Sequence, residues 1–578
     1  MSSDAAIGYE RAGGSSQHHF AVDANQATGD EVSSPIDKKP QISIKETLAD
    51  LEGVGVDAQE TTTSQYPRGV RFWFLMFNLG AVIVLGALDI SIVATAVPRI
   101  TDHFHTIADV GWYSVAFRLT QCSFQFLYGK AYKIFPIKRV FLIANLFSFL
   151  GSLLCGTAVS STMLVVGRAV AGVGTAGLDA GAYIMLIQST PLRIRPTFLG
   201  LWGAIEGLTT VAGPLIGGAI TQTIGWRWCF YIAVPLGGAT LLLTFFFFEE
   251  RVEASSSEAE RPILADKLKD LDMLSTLILL PALTCLFLAF SWAGTRYSWH
   301  SSRIIALLLT STILTTLFTY NQIRLGNSAA LPIRILKSRT LLASLTFILF
   351  QNSAGNVLEY YLPIYYQAVQ SYTPAQSGLL MLPILLVATA GAILSGFGTS
   401  VCGYYAPFMI FASITMSIAA GLVTTFGMHT SLVKMILYTG LFGLGYGVGS
   451  TGPTTAIQTV LSDEDVSIGL AILLFGSAFG PAVMISVAQV IFTNQLQGVL
   501  PGNIAVDERG LTEIVQHAAP DRVDEMLLGV NKSIVHTWYL VIALACATFV
   551  GSLAVEWRSV KKDDPNKESE KASEVVKV

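Results

Sequence analysis

Apolar residues in this chain run in continuous blocks rather than in stripes. Six blocks lie at 72–97, 109–130, 139–159, 162–187, 197–221 and 228–248, two at 272–293 and 303–322, and six more at 340–366, 376–399, 405–427, 433–457, 467–493 and 534–555. About 20 consecutive apolar residues form a helix long enough to cross the ~30 Å hydrocarbon core of a bilayer. A helix on a water-soluble core would show one apolar stripe instead. Strands of a membrane barrel would alternate with a period of two, which these blocks do not. The pattern predicts an all-α polytopic membrane protein with fourteen transmembrane helices grouped six, two and six. Residues 1–70 read as a disordered cytoplasmic tail, 71–250 as a first six-helix unit and 251–271 as a cytoplasmic linker. Residues 272–325 read as two extra helices, 326–557 as a second six-helix unit with an extracellular loop at 494–533, and 558–578 as a second cytoplasmic tail.

Composition agrees with that pattern. Of 578 residues, 52% are hydrophobic and 13% charged, too few charges to cover a soluble protein of this size. The net charge of -4 gives no reason to expect a nucleic-acid partner. The six cysteines, Cys122, Cys155, Cys229, Cys285, Cys402 and Cys546, lack metal-ligand spacing and read as small buried hydrophobes. Neither a metal nor a cofactor is expected. Basic residues such as Lys130, Lys133, Lys138, Arg139, Arg193, Arg195, Arg334 and Lys337 gather on alternate connections. By the positive-inside rule those connections and both termini are cytoplasmic. The outer loop ends in Asn531-Lys532-Ser533, a glycosylation sequon that makes Asn531 a candidate acceptor.

Several motifs together resemble the fourteen-helix drug:proton antiporter branch of the major facilitator superfamily, in its fungal form. Leu88-Asp89-Ile90-Ser91-Ile92-Val93 with Ala96-Val97-Pro98 is similar to its first-helix signature. Gly167-Arg168-Ala169 followed by Gly172, Gly174 and Gly177 resembles its fourth-helix motif. Gly200 and Gly213-Pro214-Leu215-Ile216-Gly217-Gly218 resemble the fifth-helix antiporter motif, with Thr209 where a glycine is commoner. Trp226-Arg227-Trp228-Cys229, Tyr360-Tyr361-Leu362-Pro363 and Glu556-Trp557-Arg558 look like fungal members. The loop after the second helix departs from the pattern: Lys133 stands where the family carries an acid and Pro136 where it carries a glycine, so no charge latch is expected there. The resemblance implies two six-helix bundles around a central cavity that opens alternately to either side. It implies export of amphipathic small molecules, such as drugs, toxins or secondary metabolites, against an inward flow of protons. The chain is then expected to act as a monomer in the plasma membrane, or alternatively the vacuolar membrane, with a small-molecule substrate, protons and lipid as its partners. Siderophore or basic amino acid transport on the same fold is the alternative within transporters. A receptor without transport is the alternative outside them, though it would call for large signalling tails. An enzyme would call for His or Cys clusters at one membrane face, and His103 with His105 is too slight a pair.

An ionisable side chain within a membrane span is costly and marks either a pathway or a structural pair. The candidates are Asp89, Arg118, Arg168, Asp179, Glu206 and Glu359. Counting about 1.5 Å per residue from the ends of the blocks puts Asp89, Arg118 and Arg168 level in the outer half, so Asp89 is expected to pair with one of the two arginines. Asp179 and Glu206 fall level with each other in the inner half with no cation at their depth, and Glu206 is the leading candidate for a proton carrier or a recogniser of cationic cargo. Glu359 faces the cavity or packs beside Tyr360. Gly213, Gly217 and Gly218 make a small-residue face for close helix approach, and Pro214 removes one helical hydrogen bond. The runs Gly172-Val-Gly174-Thr-Ala-Gly177 and Gly447-Val-Gly449-Ser-Thr-Gly452 match a dinucleotide fingerprint. Both lie inside apolar spans rather than after a β-strand, so nucleotide binding is not expected.

Overall fold

The computed structural model describes residues 69–104, 110–248, 270–293, 297–497 and 523–561. The N-terminal tail, most of the linker at 251–271, the greater part of the outer loop at 494–533 and the end of the C-terminal tail lie outside the described residues, as does His105.

Each apolar block contains a long helix. These are α1 (Val70–Phe104), α2 (Val110–Ile134), α3 (Ile137–Gly156), α4 (Ser161–Ser189), α5 (Arg195–Thr223) and α6 (Ala233–Phe247), then α7 (Met273–Trp292) and α8 (Ser302–Leu325). They continue with α9 (Arg339–Ile364), α10 (Leu382–Cys402), α11 (Ala406–Val423), α12 (Leu432–Gly449), α13 (Asp463–Gln497) and α14 (Val523–Ala554). Local chemistry sets several of the ends. Ser160 accepts from the Met163 amide to cap α4 and Ser338 accepts from Leu341 to cap α9. Gly403, at φ 90°, ends α10 in the left-handed region that glycine adopts without strain. Among the described residues, twelve helical segments are long and apolar enough to cross a bilayer. Of the other two, α2 has the length but is the least apolar of the fourteen.

Helices α1 to α6 pack on one another, chiefly through α3–α4, α2–α4, α1–α5 and α1–α6. Helices α9 to α14 do so through α10–α12, α9–α14, α11–α12 and α9–α13. Between the two sets the main crossings are α5–α10 and α2–α13, while α7 and α8 pair with each other and α7 leans on α2. Small residues make the close crossings possible. A Cβ on Gly200 would come 2.4 Å from the Ala392 carbonyl oxygen, and one on Gly396 would come 2.3 Å from that of Pro196. Gly172 and Gly174 meet α2 and α3 in the same way, which accounts for their spacing without a nucleotide. Buried polar pairs bridge other helices: Asn78 donates to Thr244 at 2.7 Å, and Asn145 donates to Thr240 at 2.8 Å.

One face of the molecule is tied shut across both crossings. Lys133, at the end of α2, donates to Asp465 in the first turn of α13 at 2.9 Å. Arg334 pairs with the same carboxylate at 2.8 Å, and Lys130 donates to the Ser328 carbonyl. Thr197 and Ser400 share a hydrogen bond of 2.8 Å between α5 and α10. This corrects the expectation that a lysine at position 133 leaves no latch. The latch is present with its signs exchanged, because the acid stands on α13.

The stretch linking α8 to α9 is fixed as well. Asp272 is buried and held at φ 52°. Its carboxylate accepts from the Ser275 and Ala330 amides and from the Asn321 and Gln322 side chains, at 3.0–3.4 Å. Of the cysteines, Cys122, Cys155 and Cys229 are buried, whereas Cys402 and Cys546 are exposed, so the reading of all six as buried does not hold. Asn531 lies inside α14 rather than in a loop. It is buried, and its amide donates to the Phe426 carbonyl at 3.4 Å. A side chain so placed offers no acceptor for a glycan, which corrects the sequon reading.

Candidate functional site

A cavity of about 360 Å³ lies between the two helix sets, with walls from α1, α2, α4 and α5 on one side and α9, α10, α12 and α13 on the other. That volume falls in the range of small-molecule sites, ~300–1,000 Å³. The helices that furnish its polar wall include α2, the least apolar of the fourteen. An aqueous-facing polar wall and a uniformly apolar span cannot be written on the same residues.

The candidate ionisable residues separate into two groups. Asp89 and Arg168 are buried against each other and do not line the cavity. Arg168 donates to Asp89 at 3.0 Å and, through Nε, to the Tyr113 carbonyl at 2.9 Å, and its guanidinium lies 4.3 Å from the centre of the Phe117 ring. Asp89 therefore pairs with an arginine as expected, and the partner is Arg168. In such a pair each charge meets the cost of burial in the other, and the remaining donors of Arg168 are used by backbone and ring.

Arg118, Asp179, Glu206 and Glu359 all line the cavity. Gln121 joins two of them: its amide nitrogen donates to Asp179 at 2.9 Å, and its oxygen accepts from Arg118 at 3.4 Å. Arg118 thus sits one amide away from Asp179, which overturns the expectation of no cation at the depth of Asp179 and Glu206. Depth counted along separate helices ignores their tilt and rotation, and the structure brings together residues that the count set apart. Among the described residues, the Glu206 and Glu359 carboxyls accept no hydrogen bond and no carboxylate oxygen lies within 4.0 Å of Arg118. Glu359 faces the cavity, while Tyr360 beside it points outward.

Apart from Glu359 on α9, the polar groups of the wall from the second set are neutral. Asn352 accepts from the Tyr446 hydroxyl at 2.9 Å and Gln351 donates to the Tyr446 carbonyl at 2.6 Å. Leu470, Leu473 and Leu474 of α13 add an apolar patch. Tyr446, Asn356, Thr389 and Ser477 line the cavity without having been singled out from sequence. A hydroxyl or amide inside an apolar block carries little signal until the neighbouring helix is known. Trp202 packs on Tyr183, Tyr361 donates to Gln489, and Tyr113 hydrogen-bonds Ser161, so these aromatics are structural.

The glycines of α5 divide their work along the helix. Gly200, Gly203 and Gly207 meet α10 of the other helix set. Gly213 meets Ser91 of α1, and Gly218 has open space beside it. The Gly217 carbonyl accepts from the Cys229 thiol. Of Pro214 the structure describes the helical backbone alone. Among the described residues, the α5 glycines that meet the other set lie in the first half of the helix.

Two sets of membrane-length helices, crossing at two places around a shared polar cavity, define a polytopic solute transporter. Comparison with known proteins gives the particular kind. The family model of the Major Facilitator Superfamily matches residues 79–485, and the chain belongs to that superfamily of secondary transporters. It is similar to the MFS-type efflux pump MFS1 of Arthroderma benhamiae, 39% identical over 510 residues, covering 87% of this chain and 95% of that one. It is also similar to the efflux pump aflT of Aspergillus parasiticus, 38% identical over 86% of this chain and 98% of that one. Among solved structures it resembles the human organic anion transporter MFSD10, with a TM-score of 0.54 and 13% identity, covering 83% of this chain and 100% of that one. At that identity the likeness concerns the fold.

Proposed function

We propose that this protein exports small amphipathic molecules in exchange for protons, by alternating access of the central cavity. The observation that carries this reading is the convergence of Asp179, Glu206 and Glu359 on one cavity between two helix sets. A carboxyl there can hold a proton or a cargo donor, and exchange of one for the other couples the two flows. The relatives named as efflux pumps support the outward direction of cargo. In this reading all fourteen long helices cross the membrane as two six-helix bundles and a central pair, and the basic latch face is cytoplasmic with both termini on that side. The protein works as a monomer, and its membrane is the plasma membrane.

Alternating access then has a physical description. The latch of Lys133, Arg334 and Asp465 and the crossing at Gly200 close the cytoplasmic side in the conformation described here. Opening that side requires the α5–α10 and α2–α13 contacts to part while their counterparts on the other face come together. The test is transport in sealed vesicles containing the purified protein. Cargo should move when a pH difference is imposed and stop when a protonophore collapses it. Glu206→Gln and Glu359→Gln should each cut gradient-driven flux about 10- to 100-fold, on the scale of one charge-assisted interaction, with membrane insertion unchanged. Cargo flux that ignores the gradient, or full flux in both variants, defeats the reading.

A further inference from the structure

The charged wall of the cavity contains one group that cannot shed its charge. Carboxyls there become neutral by taking a proton, but a guanidinium stays charged at any physiological pH. Arg168 has Asp89, the Tyr113 carbonyl and the Phe117 ring. Among the described residues, Arg118 has only the Gln121 oxygen, at 3.4 Å, longer than a good N–H···O bond. Most of its five donors are therefore unused by the protein. Two turns along the same face of α2, Gln125 also lines the cavity, and its amide nitrogen has no partner although the residue is only 2% exposed. A buried donor without an acceptor is costly, and a ligand oxygen is one way to satisfy it.

We propose that Arg118 and Gln125 form an acceptor-reading strip, and that the cargo is a neutral molecule with a carbonyl oxygen for that strip and a hydroxyl donor for the carboxylates facing it. This rests on the proton-exchange reading above and deepens it to a substrate class: uncharged apolar molecules that carry both a carbonyl and a hydroxyl. A permanent cation gives the guanidinium nothing to bind and is repelled by it. A permanent anion meets Asp179, Glu206 and Glu359. A neutral molecule with both groups satisfies each wall, and the Leu470–Leu474 patch takes its apolar body. The polarity also gives the coupling its sign. A cargo hydroxyl bonds more strongly to a charged carboxylate than to a protonated carboxyl, so an arriving proton weakens the cargo's hold and a departing proton strengthens it. Tyr183 and Tyr446 are the other titratable groups on the cavity wall, and both act there as neutral hydroxyls.

The test uses three fluorescent compounds of one size: 7-hydroxyflavone with both groups, 7-methoxyflavone with the carbonyl alone, and 6-phenyl-2-naphthol with the hydroxyl alone. Binding is measured by equilibrium titration of the purified full chain in lipid nanodiscs. In the native protein 7-hydroxyflavone should bind about 10- to 100-fold tighter than 6-phenyl-2-naphthol, the ratio expected for one hydrogen bond to a charged group. Arg118→Gln should erase that ratio, and Arg118→Lys should restore part of it. A merely structural arginine would weaken all three compounds alike and leave their ratio unchanged. An unchanged ratio in Arg118→Gln, equal binding of all three compounds, or no binding of 7-hydroxyflavone overturns the proposal. Because binding is read without a gradient, failure of proton exchange would appear separately, as correct binding ratios with no driven flux in vesicles.

Discussion

Replacing Asp465 by asparagine removes the acid that both Lys133 and Arg334 share across the latch. The carboxylate is largely enclosed, with its side chain 6% exposed, whereas Lys133 is 31% and Arg334 is 61% exposed. The two cations can therefore turn to water when their partner is lost, and the penalty falls well short of breaking a fully buried pair. Two charge-assisted contacts at 2.9 and 2.8 Å, discounted for that exposure, make the latch worth about 1–3 kcal/mol, or roughly a 5- to 150-fold shift between closed and open forms. The shift is measurable by chemical access. In a background with Cys402 and Cys546 changed to serine, a cysteine at the cavity position Ser477 is labelled by a membrane-impermeant thiol reagent added to inside-out vesicles. Asp465→Asn should speed that labelling by the stated factor. Lys133→Ala should give a smaller increase and should add little on top of Asp465→Asn, because both act through one contact. If Asp465→Asn labels at the native rate, the ion pairs do not hold that face shut.

Three other outcomes follow from the packing. Gly200→Val places a branched side chain where a Cβ already comes 2.4 Å from the Ala392 carbonyl oxygen; it should lower thermal stability by about 1–3 kcal/mol of overpacking, whereas Gly218→Ala, with open space around it, should be close to neutral. Asp89→Asn leaves Arg168 as a buried charge without its counter-ion and should destabilise the folded protein by about 3–5 kcal/mol, read as a fall in detergent melting temperature; Asp89→Asn with Arg168→Gln should recover part of that loss. Asn531→Gln should leave electrophoretic mobility unchanged, and treatment with an endoglycosidase should not alter the native protein's mobility through this residue.

What could be read from sequence was governed by range. Helix positions are written in local runs of apolar side chains, and all fourteen blocks fold as long helices. The Asp89–Arg168 pair was legible because two buried opposite charges at one depth must find each other. The Arg118–Gln121–Asp179 chain was not, since it depends on how α2 and α4 tilt and rotate, and neither quantity is encoded in block ends. The latch was missed for a related reason. Lys133 looked like a lost acid until α13, 332 residues further on, supplied the opposite sign. In α5 the glycine motif was visible, but which glycine touches which helix follows from the crossing angle with α10, a property of the packed molecule. The polarity that makes α2 the least apolar of the long helices is the same property that lets α2 line the cavity.

The carboxylate of Asp272 has a mechanical consequence. By gathering the start of α7, the end of α8 and the amide of Ala330, it turns what could be a slack tether into a rigid bracket. Lys130 fastens that bracket to α2 at Ser328. The six helices that follow cannot swing freely from the end of α8, because the connection is held on to α9: the Leu331 amide donates to Gln322, those of Lys337 and Ser338 donate to the Ile333 and Ile335 carbonyls, and Ser338 caps α9.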